Sequence, residues 1–179
     1  GNLIQGATVV LASTGTSNTI TGPSGTTNSS GVATGTLSST KSESKTVSAT
    51  IEGIAIVQTA PVTVNPAAVS ASHSTLTATP SPITASSGSS ASTVTVTAKD
   101  QFDNLIQGAK VVMSSTGSSN TFSPPPNTSS LGVSTSTFSS TVAEGKTVSA
   151  TLQVGSGAIV GISQTASVTV GAAAADSLV

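Results

Sequence analysis

The sequence predicts an all-β chain built from tandem β-sandwich repeats, and three observations predict it. First, Asn2-Leu3-Ile4-Gln5-Gly6-Ala7-Thr8-Val9-Val10 returns as Asn104-Leu105-Ile106-Gln107-Gly108-Ala109-Lys110-Val111-Val112. The offset, 104 minus 2, is 102 residues, close to the length of one sandwich domain. Second, Val, Ile and Thr alternate in short runs bounded by Gly, Pro, Ser and Asn, as half-buried strands joined by turns require. Third, Gly, Pro, Ser, Thr and Val are so abundant that only Ala172 to Ala175 tolerates a helix.

Composition narrows the class further. Of the 179 residues 35% are hydrophobic, 2% aromatic and 6% charged, with a formal net charge of -1. An ordinary soluble domain carries roughly 25% charged residues, so hydroxyls must coat this surface; Ser and Thr exceed a third of the chain. Disordered chains are poor in β-branched residues, and this one is rich in them. The chain has no cysteine, which excludes disulfides and thiolate metal sites. No basic cluster is present to neutralise a nucleic-acid backbone. No apolar run reaches the roughly 18 residues that span a bilayer, and no signal-like segment opens the sequence.

In the first copy, Ala7, Val9 and Leu11 alternate with Thr8, Val10 and Ala12. Thr8 becomes Lys110 in the second copy, and an unpaired lysine avoids the core. Ala7/Ala109, Val9/Val111 and Leu11/Met113 are therefore expected inside, with Val10/Val112 outside. Loops Ser13–Asn18 and Ser114–Asn120 lead to short strands near Thr19-Ile20 and Thr121-Phe122. Pro23 to Ser30 and its partner Pro124-Pro125-Pro126-Asn127 read as connections, since proline cannot join a central ladder. Gly31–Leu37 and Gly132–Phe138 read as strands, with a bulge expected at Gly35. Lys45–Ile51 returns as Lys146–Leu152, and Val47, Ala49 and Ile51 are expected to form a buried stripe. Gln58–Val64 and Gln164–Val170 are closing strands. The offset has grown from 101 to 106, so about five extra residues fall in Val154 to Ile162, as a longer hairpin loop.

Asn65-Pro66 marks a boundary. Ser74–Pro80 and Ser92–Ala98 read as opening strands without counterparts in the first copy, with Val94 and Val96 inside. Gly171 to Val179 is similar to Pro66 to Ser74. Roughly 28 residues of one repeat cycle are thus absent, so the chain reads as a window on a longer array. A sheet edge left without its opening strands pairs with any strand offered.

Val94-Thr95-Val96-Thr97-Ala98-Lys99-Asp100, Asp103-Asn104-Leu105-Ile106-Gln107-Gly108-Ala109-Lys110-Val111, Gly132-Val133 and Lys146-Thr147-Val148-Ser149-Ala150-Thr151 together resemble the bacterial immunoglobulin-like domains of group one, the stalk repeats of invasin- and intimin-type adhesins. The resemblance implies immunoglobulin-like Greek-key β-sandwiches without a disulfide. Together with the repeat offsets, it sets the domains as follows: 1–65 the later part of one domain lacking its first two strands, 66–170 a complete domain, 171–179 the first strand of a further repeat. It also implies a rigid extracellular spacer on a cell or virion surface, with neighbouring repeats as partners. It implies no receptor, because no terminal lectin-like domain is visible.

Candidate chemistry is sparse. His73, the only histidine, lies between Ser72 and Ser74, which point to the opposite strand face, so neither is a natural partner in a triad; it reads as a solvent-exposed inter-domain histidine. The carboxylates are Glu43, Glu52, Asp100, Asp103, Glu144 and Asp176. Calcium needs six to eight oxygens; Asp100 and Asp103 are the one close pair and the weak metal candidates, and Asx turns are the preferred reading of both. Asn28-Ser29-Ser30 and Asn127-Thr128-Ser129 match the glycosylation sequon and read as turns. Met113, Phe122 and Phe138 read as core. No catalytic residue or cofactor is expected. The function read from the sequence is a non-enzymatic spacer or decoration. Two alternatives stand beside it: a filament subunit joined by strand complementation, and an adhesin binding a glycan or receptor through Ser13–Asn18 and Val154–Ile162.

Overall fold

The computed structural model describes residues 2–23 and 25–174. Two compact units divide the chain, residues 1–66 and 67–179. In unit 1 the strands are β1 (Val9–Ser13), β2 (Asn18–Thr21), β3 (Thr36–Ser39), β4 (Ser44–Ile51), β5 (Ile54–Ala55) and β6 (Ala60–Thr63). In unit 2 they are β7 (Thr75–Thr79), β8 (Ile83–Thr84), β9 (Ser92–Thr97), β10 (Lys110–Ser115), β11 (Asn120–Phe122), β12 (Val133–Ser140), β13 (Gly145–Gln153), β14 (Val160–Gly161) and β15 (Ala166–Gly171).

Unit 2 is a sandwich of two sheets, β11-β12-β9-β7 against β10-β13-β15-β8, with β14 hairpinned onto β13. Alternation builds its core. Val94 and Val96 on β9 are buried while the threonines between them turn outward. Leu76, Ile83, Phe138, Val148, Ala150, Leu152, Val168 and Val170 complete the interior from the other strands. The rings of Phe122 and Phe138 meet at 4.9 Å between centroids, a tilted contact of the favoured kind. Met113 and Phe122 pack against this cluster, in keeping with their reading as core.

Strand β8 was not foreseen. Pro80 and Pro82 interrupt the ladder after β7, and the chain then pairs Ile83 and Thr84 in parallel with Val170 and Gly171. Two residues are too few to display a period of two, so the sequence carries no pattern there.

Unit 1 repeats the central strands. β1 pairs β4 from Val9↔Ile51 to Ser13↔Val47, and β10 pairs β13 from Val111↔Leu152 to Ser115↔Val148, in the same register. Val10 and Val112 both face outward, and Ala7 and Ala109 inward. The hairpin after β4 turns through Glu52 and Gly53 between Ile51 and Ile54, both turn residues having positive φ. Its equivalent spans 153–159 between Leu152 and Val160. Seven residues replace two, which locates the expected insertion of five.

Three expectations need correction. Gly31–Leu37 is not a full strand: only Thr36–Ser39 pairs, and with β2 alone. In β12 the corresponding residues pair with β9, from Val133↔Thr97 to Phe138↔Ser92, and no strand of the described residues takes that place in unit 1. Gly35 is not held by a bulge; a Cβ there would meet Leu11 Cδ1 at 2.6 Å, so close packing selects glycine. Val47, Ala49 and Ile51 are only half-buried, whereas Val148, Ala150 and Leu152 are fully buried. Of the segment 171–179, Gly171 closes β15, 172–174 form no strand, and 175–179, with Asp176, lie outside the described residues.

Candidate functional site

Two polar constructions recur or stand out, and both lie at poles of a unit. The first is a buried lysine clamp. Strand alternation puts Lys45 on the face of Val47, Ala49 and Ile51, and Lys146 on the face of Val148, Ala150 and Leu152. Both ammonium groups are fully buried. Lys45 Nζ donates to Glu43 Oε1 at 2.7 Å and to the Thr16 carbonyl at 2.9 Å. Glu43 Oε1 in turn accepts the Thr16 amide at 2.8 Å. In unit 2 Lys146 pairs with Glu144 and donates to the Ser118 carbonyl at 2.7 Å, while Glu144 accepts the Ser118 amide at 3.1 Å. A buried charge survives only when paired and hydrogen-bonded. The lysine bonds hold both glutamates below the usual carboxylate range, the loop amides adding to the effect. Gly15 and Gly117, at φ 80° and 76°, bring the loop backbone so close that a Cβ would strike the Glu carboxylate. The clamp therefore fixes loops Ser13–Asn18 and Ser114–Asn120 from beneath. The sequence reading missed this clamp; the repeated Glu-x-Lys spacing (Glu43/Lys45, Glu144/Lys146) is the signal that could have found it.

A second device missed from the sequence is the buried hydroxyl of Thr27 and Thr128. Thr27 Oγ1 accepts the Ala7 amide at 3.0 Å and donates to the Ile4 carbonyl at 2.7 Å. Thr128 does the same for Ala109 and Ile106, at 2.9 and 2.7 Å. Each threonine satisfies a turn that no ladder reaches.

The second polar construction is the Asp100–Asn104 turn in unit 2. The Asp100 side chain is fully buried. Its Oδ1 accepts the amides of Phe102 and Asn104 at 2.8 and 2.9 Å, and its Oδ2 accepts the Ala67 amide at 2.8 Å and Asn104 Nδ2 at 2.9 Å. Burial raises its pKa, yet these four donors together outweigh that and hold it below the ordinary value. Asp103 turns the other way. Its Oδ1 lies 3.3 Å from both His73 Nδ1 and Lys99 Nζ, and the His73 bond, then Lys99, lowers its pKa. The two aspartates thus do not converge, and among the described residues no three acidic or histidine side chains do. His73 is half-buried against Asp103. Ser74 Oγ is engaged with the Lys99 backbone, and Ser72 Oγ faces Ser70 Oγ.

Of the two loops considered for ligand binding, Ser13–Asn18 belongs to unit 1 and Val154–Ile162 to unit 2; the unit 2 counterpart of the first is Ser114–Asn120. β10 and β13 are antiparallel with Lys110 opposite Gln153, so loop Ser114–Asn120 follows one end of the ladder and hairpin 153–159 caps the other. Residues 145–152 of β13 separate them, roughly 26 Å at about 3.3 Å per residue. Asn28 is exposed and its Oδ1 accepts the Ser30 and Val32 amides at 2.9 and 3.0 Å, a side-chain turn.

Residues 1–65 and 73–171 match the family model described as bacterial Ig-like domain (group 1). The chain belongs to that family. Several solved structures share the fold of these group 1 domains. The adhesin FdeC of Escherichia coli superposes with a TM-score of 0.71 at 23% identity, over 94% of this chain and 54% of that one. InvD of Yersinia pseudotuberculosis gives 0.61 at 24% identity, over 95% and 49%. Invasin, a bacterial integrin-binding protein, gives 0.54 at 23%, over 97% and 34%. The chain thus spans about half the length of the FdeC and InvD structures. No curated protein matches it.

Proposed function

We propose that these Ig-like domains form part of the stalk of a bacterial surface protein, as non-enzymatic spacers that set reach. The observation that carries this reading is how tightly each unit grips the chain beside the boundary. The Val64 amide donates to the Glu43 carbonyl at 3.1 Å, and the Ala67 amide to Asp100 Oδ2 at 2.8 Å. Only Asn65 and Pro66 lie between, and proline is itself stiff. A tether this short supports limited bending. The family membership and the fold shared with an adhesin and an integrin-binding protein favour display at the bacterial cell surface. The feeble charge and hydroxyl coat suit a surface that does not stick.

Asp100→Ala tests the reading. It removes the acceptor of four donors and frees the Ala67 amide, so small-angle scattering should report a broader distribution of end-to-end lengths than for the unaltered chain. Unchanged distributions would remove the support. A second reading, a filament joined by strand donation, is favoured by one observation, that residues 33–35 beside β3 join no strand ladder. Chains of that kind associate with rising concentration in sedimentation, whereas a spacer stays monomeric. Binding of a glycan or receptor draws less support, because within unit 2 the hairpin and Ser114–Asn120, the counterpart of the other loop, lie at opposite ends of β13.

A further inference from the structure

We infer that unit 2 is a load-bearing element, with β8 and β15 as a shear clamp that resists tension applied along the chain. This goes beyond the spacer reading and stands on topology alone. The chain comes into unit 2 at one pole: the Ala67 amide bonds Asp100, Val69 bridges Asp100, and the Ser163 amide donates to the Ala71 carbonyl at 2.9 Å. That pole is the Thr151 end of β13, where Gly161 pairs. The chain leaves at the other pole: the Val170 amide donates to the Glu144 carbonyl at 3.0 Å, and Thr169 lies opposite Gly145. Tension therefore pulls the two ends of unit 2 apart along the strand axes.

Strand β8 belongs to the incoming segment and β15 to the outgoing one, and the two are parallel neighbours. Pulling β8 back toward its own start and β15 forward past its own end slides them in opposite senses. Their hydrogen bonds are loaded together, lengthwise, instead of being opened one after another. The contact is reinforced: the Ala85 amide donates to the Gly171 carbonyl at 2.7 Å, the Thr169 amide to Ser81 Oγ at 3.0 Å, and the Ser86 amide to the Ser140 carbonyl at 2.9 Å. Ile83 and Val170 are both buried beneath it, so sliding also drags apolar side chains out of the core. The incoming segment is held a second time by β7 on β9, five residue pairs loaded along the same axis. In unit 1 the closing strand β6 pairs with β4 alone among the described residues, so the same chain carries its own reference.

Forced unfolding reads the unfolding barrier and not the equilibrium stability, and direction of pull separates the two. The chain has no cysteine, so handles attach only where one is introduced. Pulled from its two termini in a single-molecule experiment, the full chain should show a weak event from unit 1 and a strong one from unit 2. Pulled between Ser87→Cys, on the exposed loop just after β8, and the C-terminus, β8 peels from β15 and the strong event should be lost, with every native contact unaltered. Equal resistance in both geometries, or a terminal pull in which unit 2 is no stronger than unit 1, would overturn the clamp. Ala85→Pro deletes one clamp donor and should lower the terminal-pull force, while Val111→Ala, which weakens the core away from the clamp, should keep it. If Ala85→Pro does not fold, Ser81→Ala removes the acceptor of Thr169 and is read the same way. Matching losses of force in Val111→Ala and the clamp variant would count against the proposal.

Discussion

Ile4 and Ile106 occupy the same place in a nine-residue motif, yet Ile4 is 67% exposed and Ile106 only 4%. The backbone around them is built alike, down to the threonine that bonds both sides of the turn. What differs is Ala98, at the end of β9, whose carbonyl accepts the Ile106 amide at 3.0 Å. Residues 67–98 supply β7, β8 and β9 in unit 2, and nothing among the described residues supplies them in unit 1. The same contrast runs along β4 and β13, half-buried in one and closed over in the other. A shared sequence pattern therefore specifies strand, register and face, while burial is a property of the second sheet. The lysine clamp is the exception: it is complete in both units, because all its partners come from the repeated segment.

The largest effect should come from the stripe itself. Leu152→Ala in the closed core should cost about 2–5 kcal/mol, and Ile51→Ala at the equivalent place clearly less, as read from the separate denaturant transitions of the two units. Equal costs would erase the contrast. Next comes the clamp. Glu144→Gln leaves a fully buried ammonium without its counter-charge, whereas Lys146→Met removes the charge and keeps the apolar stem. The first should lower the midpoint of unit 2 more than the second, and Glu43→Gln and Lys45→Met should rank the same way in unit 1.

A smaller effect is expected from pH. Unit 2 holds three carboxylates below their ordinary values, Asp100, Asp103 and Glu144, and unit 1 holds Glu43. Depressed folded values mean that the unfolded chain binds the protons more readily, so stability is present above the ordinary carboxylate range and is lost as pH falls through it, below about pH 4. Unit 2 should lose more than unit 1 on going from pH 7 to pH 3; Asp103 is exposed and the two glutamates partly so, and solvent screens all three, so Asp100 should dominate. The smallest effect is at the hairpin. Replacing residues 153–159 by the Glu52-Gly53 turn shortens a closed loop from seven residues to two and should stabilise unit 2 by about 1 kcal/mol.

Much of this was legible in the sequence for a physical reason. Comparing two copies reveals which positions tolerate charge, so Lys110 fixed the faces of β1 and β10, and the change of offset located the hairpin insertion. The family pattern in residues 94–151 carried the fold. The strand at Ile83-Thr84 was illegible because it is shorter than one full alternation. The half-burial of Val47 and Ile51 was illegible because periodicity marks a face without saying whether anything covers it. Lys45 and Lys146 were hidden by the rule that lysine stays outside, which holds only for an unpaired one. Asp100 and Asp103 looked like a pair by spacing, yet the turn between them sends one carboxylate inward to amides and the other out to His73 and Lys99.

The central claim is that residues 67–103 turn the shared pattern into a core. A second copy of 67–103 fused directly ahead of Asn2, followed by amide hydrogen exchange, tests it most directly. Protection at Ile4, Val47 and Ile51 should rise to the level of Ile106, Val148 and Leu152. If those amides are already equally protected in the 179-residue chain, or stay unprotected after the fusion, the second sheet is not what closes the stripe.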